Sequence, residues 1–179
     1  MDPRRITFRD GTPAVTRPVC PTDGAALARG LRRLSPQGNA YRFLHHRKRF
    51  TEEELHYLTH CDFVNHIGLV LARTDERGQE VEEVGAARCI RTPEDPACAE
   101  AAIVLVDDWH RQGGGTLLLR HLADLSLQAG ILRWQTLMFQ ENIAAERLFA
   151  HVADEVSQRP RGYGTCEILY ALRESPTAG

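Results

Sequence analysis

The chain has 179 residues, 42% hydrophobic and 26% charged, with 22 basic and 24 acidic side chains and a net charge of −2. This length suits one domain with its own core, the composition excludes disorder, and the balanced charge excludes a general nucleic-acid binder. A longest apolar run of only Ala101 to Val106, a start (MDPRRITFRDG) with no apolar signal region, and five scattered cysteines without a CxxC pair exclude membrane-spanning, secreted and Cys-rich zinc readings, leaving a cytoplasmic protein.

Residues 1–13 are polar, carry Pro and Gly, and read as a flexible arm; 174–179 read as a disordered tail, and one domain fills 14–173. Val15 to Val19 reads as a short strand. A helix follows with Asp23 as its N-cap and Ala26, Leu27, Leu31 and Leu34 as its apolar stripe, and LSPQG breaks it. TEEELHYLT is a second helix, opened by a capping box of Thr51 and Glu54. His66 to Ala72 and Glu83 to Ile90 read as strands joined by a polar turn at Gly78. Ala99 to Val106 is the most apolar strand and is expected at the centre. A helix from about Thr116 to Ala129 shows Leu118, Leu122 and Leu125 on one face, with Gly130 placed to cap it. RWQTLMF is a strand, Asn142 to His151 a helix, and short strands near Val156 and at Cys166 to Ala171 close the chain. This order implies an α/β domain, one mixed sheet flanked by helices.

The strongest local signal is HRQGGGT between the apolar strand and the long helix. A strand, a glycine turn and a helix start gather backbone N–H groups and the positive helix end at one point, where a pyrophosphate is the natural ligand. A purely structural turn is the competing reading. Two nucleotide motifs fail on spacing: no P-loop Lys-Ser/Thr follows the glycines, and there is no full GxGxxG.

The run from AEAAIVLVDDWHRQGGGTLLL to LMFQENIAAERLF resembles the GNAT superfamily of acyl-CoA-dependent N-acetyltransferases. The family's [Q/R]-x-x-G-x-[G/A] signature falls on His110, Gly113 and Gly115, with His in place of the usual Gln or Arg; Trp109 and the helix-opening Asn142 also fit. LSPQGNAYRF and TEEELHYLTHCDF are similar to segments of the bacterial protein acetyltransferase (Pat) type. The resemblance implies the GNAT fold, a single mixed and mostly antiparallel sheet. It implies acetyl-CoA as cosubstrate and no metal. The pyrophosphate would rest on the backbone of Arg111, Gln112, Gly113, Gly114, Gly115 and Thr116, and the pantetheine arm would run along Val104, Leu105 and Val106, with Asn142 and Phe149 also expected to bind the cofactor. N–H groups of the Val104–Val106 segment would polarise the thioester carbonyl. Phe149 stands where many relatives carry a Tyr that protonates the leaving thiolate, so the thiolate would leave unaided or take its proton from water. A protein lysine is the implied acceptor, with an acyl-CoA synthetase as one candidate substrate.

Glu100 is the expected general base. It is the only charge in its strand, and alternation puts it on one face with Ala102, Val104 and Val106, company expected to desolvate it and raise its pKa. Two rivals stay open: a small-molecule amine as acceptor, and a catalytically silent acyl-CoA sensor, which would not need Glu100. His56 and His60 at i, i+4, near Cys61 and His66, have zinc-like spacing but no HExxH, and the HHRKR run is followed at once by EEE. Of the basic residues only Lys48 is a lysine.

Overall fold

The computed structural model describes residues 1–174. Its strands are β1 (Arg4–Thr7), β2 (Pro13–Pro18), β3 (His66–Thr74), β4 (Glu80–Arg91), β5 (Cys98–Leu105), β6 (Arg133–Phe139), β7 (Ala153–Gly162) and β8 (Thr165–Leu172). Its helices are α1 (Gly24–Arg33), α2 (Pro36–Phe43), α3 (Glu52–Thr59), α4 (Gly114–Gln128) and α5 (Ile143–Ala150), with one-turn 3₁₀ helices at Pro21–Asp23 and Asp107–Trp109. The strands form one sheet in the order β1-β2-β3-β4-β5-β6-β8-β7. Every neighbouring pair is antiparallel except β5 and β6, which α4 connects. The expected single mixed, mostly antiparallel sheet is what the chain builds.

β3 shows why its sequence reads as a continuous apolar run. Ile67, Leu69 and Leu71 join the main core with Leu118, Leu119 and Leu122 of α4, whereas Val70 packs with Val15, Val19 and Leu27 on the other side. Both faces are covered, so alternation is lost. β4 sorts its residues the same way. The Cys89 thiol meets the Ser126 hydroxyl of α4 at 3.3 Å, while the neighbouring Arg88 reaches the Leu58 carbonyl of α3.

Three expectations change. The arm at 1–13 is not loose: Arg4–Thr7 pairs with β2, Arg4 ion-pairs with Asp124 of α4, and Phe8 is 2% exposed. LSPQG does not merely end a helix; it starts the next. Ser35 accepts a hydrogen bond from the Gly38 amide and Pro36 takes the first helical position, where a missing N–H costs nothing. Asp23 precedes α1 but makes no side-chain cap. Its carboxylate instead takes two hydrogen bonds from Arg17, at 2.7 and 2.9 Å, and one from the Cys20 amide. Strand and helix boundaries elsewhere lie within a few residues of the reading, and the Thr51–Glu54 capping box forms in both directions. Of the tail expected over 174–179, only Glu174 is among the described residues.

Burial raises the carboxyl of Asp23, but the hydrogen bonds from Arg17 and Cys20 outweigh it and hold it below the ordinary carboxylate value. Its stabilisation is therefore complete above the unfolded value of about 3.9 and is lost as pH falls through the lower folded value. Arg17→Met strands a carboxylate whose side chain is 6% exposed and is expected to cost about 3–5 kcal/mol at pH 7. Urea unfolding at pH 7 and pH 4 checks this: the deficit should shrink in acid, where the stranded carboxylate takes up a proton. A deficit independent of pH would assign the loss to something other than Asp23.

Candidate active site

The site begins where β5 loses its parallel neighbour. The β5–β6 ladder spans only Cys98↔Arg133, Ala99↔Trp134 and Glu100↔Gln135, so one edge of β5 from Ala101 onward is released from β6. Into that opening runs the loop from Val106 to the start of α4, and both of its ends are fixed. Asp107 accepts hydrogen bonds from the Ser35 amide and hydroxyl, each at 2.8 Å, tying the loop to the start of α2. Trp109 packs on Phe8, ring centroids 5.0 Å apart, beneath the Arg73 guanidinium. The Arg9 amide donates to the Gln112 carbonyl at 3.0 Å, so the N-terminal segment braces the loop directly.

The glycines have different tasks. Gly113 has φ +85 and turns the chain into α4. Gly114 faces inward: a Cβ there would lie 2.4 Å from Phe8 and 2.9 Å from Leu71. Gly115 lies against Leu105 and Leu148, where a Cβ would meet their methyl groups at 3.1–3.2 Å. The loop is thus pressed onto the core, with the first N–H groups of α4 left for an outside acceptor.

A groove of about 620 Å³ runs from this loop along β5 to α5. Of the expected cofactor-binding residues, Val104, Leu105, Arg111, Gly113, Gly115, Thr116 and Asn142 line it, and Asn142 also caps α5 by accepting from the Ala145 amide. Val106, Gln112, Gly114 and Phe149 do not. Val106 is buried and borders a different cavity, Gln112 contributes its carbonyl to Arg9, and Gly114 is buried against Phe8. Phe149 is 2% exposed, stacked on Tyr170 and set edge-on to Trp134. His110 turns back to Leu105, its Nε2 donating to the carbonyl at the end of β5. The groove also takes in Tyr41, from the LSPQGNAYRF segment, and Arg9 and Arg147. No local pattern marks Arg9 or Arg147, because they come from separate segments joined only by the fold.

On the sheet face beneath α1, α2 and α3 lies a second cavity of about 320 Å³. It shares Val104 and Arg42 with the groove, so the two spaces meet at those residues. Glu100 is on this face, directly opposite Ile90 and two residues from Ala102, both of which line the cavity. It is exposed, however, so the desolvation expected of it is not found. It is the third residue of β5, near the end of the strand where it enters the sheet. Arg88, opposite Ala102, is 8% exposed and reaches His66 Nε2 at 3.1 Å. Burial, then the Arg88 charge, pull His66 down to about 4, so it is neutral at pH 7.

The histidine pair reads differently in three dimensions. His56 and His60 stack with ring centroids 3.7 Å apart, and His60 bonds the His56 carbonyl rather than facing a shared point. Among the described residues no group of three or more metal-ligating side chains comes together, and no helix is long and apolar enough to cross a membrane.

Comparison with known proteins agrees with this geometry. The acetyltransferase (GNAT) family model matches residues 38–153. An acetyltransferase of Pseudomonas aeruginosa is 30% identical over 138 residues, 77% of this chain and 70% of its own. The GNAT domain of S. lividans PAT superposes with a TM-score of 0.79 at 25% identity, covering 95% of this chain and 97% of that one. A Salmonella typhimurium protein solved with its cofactor acetyl-CoA shares the fold, with a TM-score of 0.67 at 16% identity over 93% and 96% of the two chains. The chain belongs to the GNAT family and is an acetyl-CoA-dependent N-acetyltransferase.

Proposed function

We propose that the 620 Å³ groove holds acetyl-CoA and that the chain transfers its acetyl group to a primary amine presented from the 320 Å³ cavity, with Glu100 as general base. The observation that carries this is the meeting of the two spaces at Val104 and Arg42, beside the face that bears Glu100. There an acyl donor and an amine can be brought to one strand, which is the orientation the reaction needs. The backbone from Arg111 to Thr116 and the start of α4 receive the pyrophosphate. The edge of β5 that β6 has left offers N–H groups to the thioester carbonyl. Glu100, directly or through water, takes the proton an ammonium must lose before its nitrogen can attack. Acetyl-CoA supplies an activated acyl group whose C–S bond breaks as the C–N bond forms. No side chain is needed to protonate the thiolate, which takes its proton from water, and the buried Phe149 has none to give. The resemblance to the Pat type adds a protein lysine as acceptor; the transfer chemistry is the same for any unhindered primary amine.

The loop is tested by a matched pair. Gly113 and Gly130 sit at opposite ends of α4 with φ +85 and +79, and neither has backbone within 4 Å of an added Cβ. Valine meets the same left-handed strain at either place. Gly113→Val is expected to weaken acetyl-CoA binding at least ~10-fold by calorimetry, and Gly130→Val to leave it unchanged. Equal losses would make the effect one of helix stability alone.

The base is tested by Glu100→Gln. Turnover should drop ~10²–10⁴-fold, the usual contribution of a positioned base, with acetyl-CoA affinity unchanged because the loop binds through backbone. The variant should also lose the acid-side fall in kcat/KM that a carboxylate base imposes. A raised KM at constant kcat would make Glu100 an acceptor-binding residue instead.

A further inference from the structure

The face carrying the 320 Å³ cavity holds more positive charge than its own carboxylates neutralise. Arg88 stands on β4 among apolar neighbours, and its two hydrogen bonds go to the neutral His66 ring and the Leu58 carbonyl. Among the described residues it has no carboxylate partner. Arg42, on α2, makes no hydrogen bond or ion pair among the described residues and has only the Phe43 ring beneath it, 5.0 Å away. The cavity's other charges are already matched. Arg47 pairs with Glu54 at 2.8 Å, and Arg29 pairs with Glu83 at 3.2 Å. Burial, then the like charge of Arg88, draw Arg42 down to about 10, with Glu100 pulling the other way. Burial lowers Arg88 in the same sense. A buried guanidinium without a counter-ion is costly, and it is stabilised by any anion that enters.

The rest of the lining is mainly hydrocarbon and aromatic ring: Leu27, Leu31, Phe43, Phe50 and Leu58. The volume lies at the small end of the ~300–1,000 Å³ typical of small-molecule sites. We propose that this cavity selects an acceptor that is itself an anion: a free amino carboxylate with an apolar side chain, an apolar amino acid or a close analogue, its carboxylate held by Arg88 and Arg42. This rests on the acetyltransfer reading of the site and names its substrate class. The two ends of such a molecule match the two ends of the space. The carboxylate lies against the arginines, the side chain against the α1–α3 wall, and the amine is left toward Val104, where the groove opens, on the strand face that carries Glu100. The step balances as R–NH₃⁺ + acetyl-S-CoA → R–NH–acetyl + CoA-SH + H⁺, with the carboxylate unchanged. A protein lysine, whose amine stands on a long neutral stem, leaves both guanidinium groups unmatched.

The test measures CoA release by the full chain with L-leucine, L-methionine, L-phenylalanine and L-tryptophan, their carboxamides, and a lysine-containing peptide. At least one free acid should exceed its amide in kcat/KM by roughly ten- to a hundredfold, the weight of hydrogen bonds to a charged group. Arg88→Met should collapse that acid-to-amide ratio toward one, a change that general loss of structure would not produce. If Arg88→Met does not fold, Arg42→Gln, nearer the opening, should lower the same ratio. Binding is read independently of turnover by calorimetry, titrating N-acetyl-leucine and N-acetyl-leucinamide into the CoA-loaded protein; only the acid should bind measurably. Amides as good as acids, or a lysine peptide preferred with Arg88→Met no worse, would overturn the proposal while leaving acetyl transfer intact. Failure to bind acetyl-CoA at all would instead sink the reading of the groove.

Discussion

Everything at the site follows from a single parallel pairing in an otherwise antiparallel sheet. Antiparallel neighbours can be joined by tight turns, but β5 and β6 run the same way, so the chain must cross over between them, and α4 is that crossover. The crossover places the N-terminus of α4 at the C-terminal end of β5. It also allows the two strands to part after three residue pairs, because nothing requires them to meet again at a turn. The same geometry therefore makes both the proposed pyrophosphate seat and the slot along β5. Neither would exist if β6 had followed β5 as a hairpin.

A loop of glycines is a poor holder of its own shape, since glycine loses the most freedom on folding. Here the cost is offset by packing from residues far away in sequence. Phe8 fills the space that Gly114 leaves and stacks on Trp109, Arg9 bonds the Gln112 carbonyl, and Ser35 bonds Asp107. The first strand and the start of α2 thus act as supports for the loop. Arg4 and Asp124 carry the same bracing further along α4, toward its C-terminal half. Rigid N–H groups aimed in advance are what an anion site requires, since each then binds without being ordered first.

How much of this was legible in the sequence depended on whether the signal was local. The strand at 133–139, the capping box of α3 and the glycine turn are written in contiguous residues, and each appears where its spacing put it. β1 was missed because RRIT carries one apolar residue, and its stability comes from pairing with β2 and from Asp124, neither visible nearby. α2 was missed because a proline stops a helix from within but starts one from its first position, and only the Ser35 cap separates the two cases. Asp23 was read as a cap by residue type; Arg17 on the neighbouring strand outbid the helix for its carboxylate. In the site, the glycine loop was located by motif, and Tyr41 and Arg42 lie in the LSPQGNAYRF segment, whereas Arg9 and Arg147 reach the groove through the fold alone. Alternation gave the right face for Glu100 but not its exposure, because a strand pattern reports the side a residue takes and not how much of it the rest of the fold covers.

That last distinction organises the chemistry of the sheet face. At one end of β5 Glu100 is open to water, which suits the base role proposed for it; toward the other end Val104 borders the groove. Between them, across the β4–β5 ladder, Arg88 is kept charged and dry. Its neighbour His66 supports this arrangement only while neutral, because Nε2 must accept the Arg88 proton, and its low pKa keeps it so at physiological pH. Acidification through the interval between the unfolded value near 6.5 and about 4 favours the unfolded chain, which takes up the proton that folded His66 refuses. A hydrophobic pair at these two positions would avoid both the burial of a charge and this loss in acid. That the fold carries the charge at such a place, beside the space proposed to hold the amine, is the physical reason for proposing that it serves substrate rather than stability.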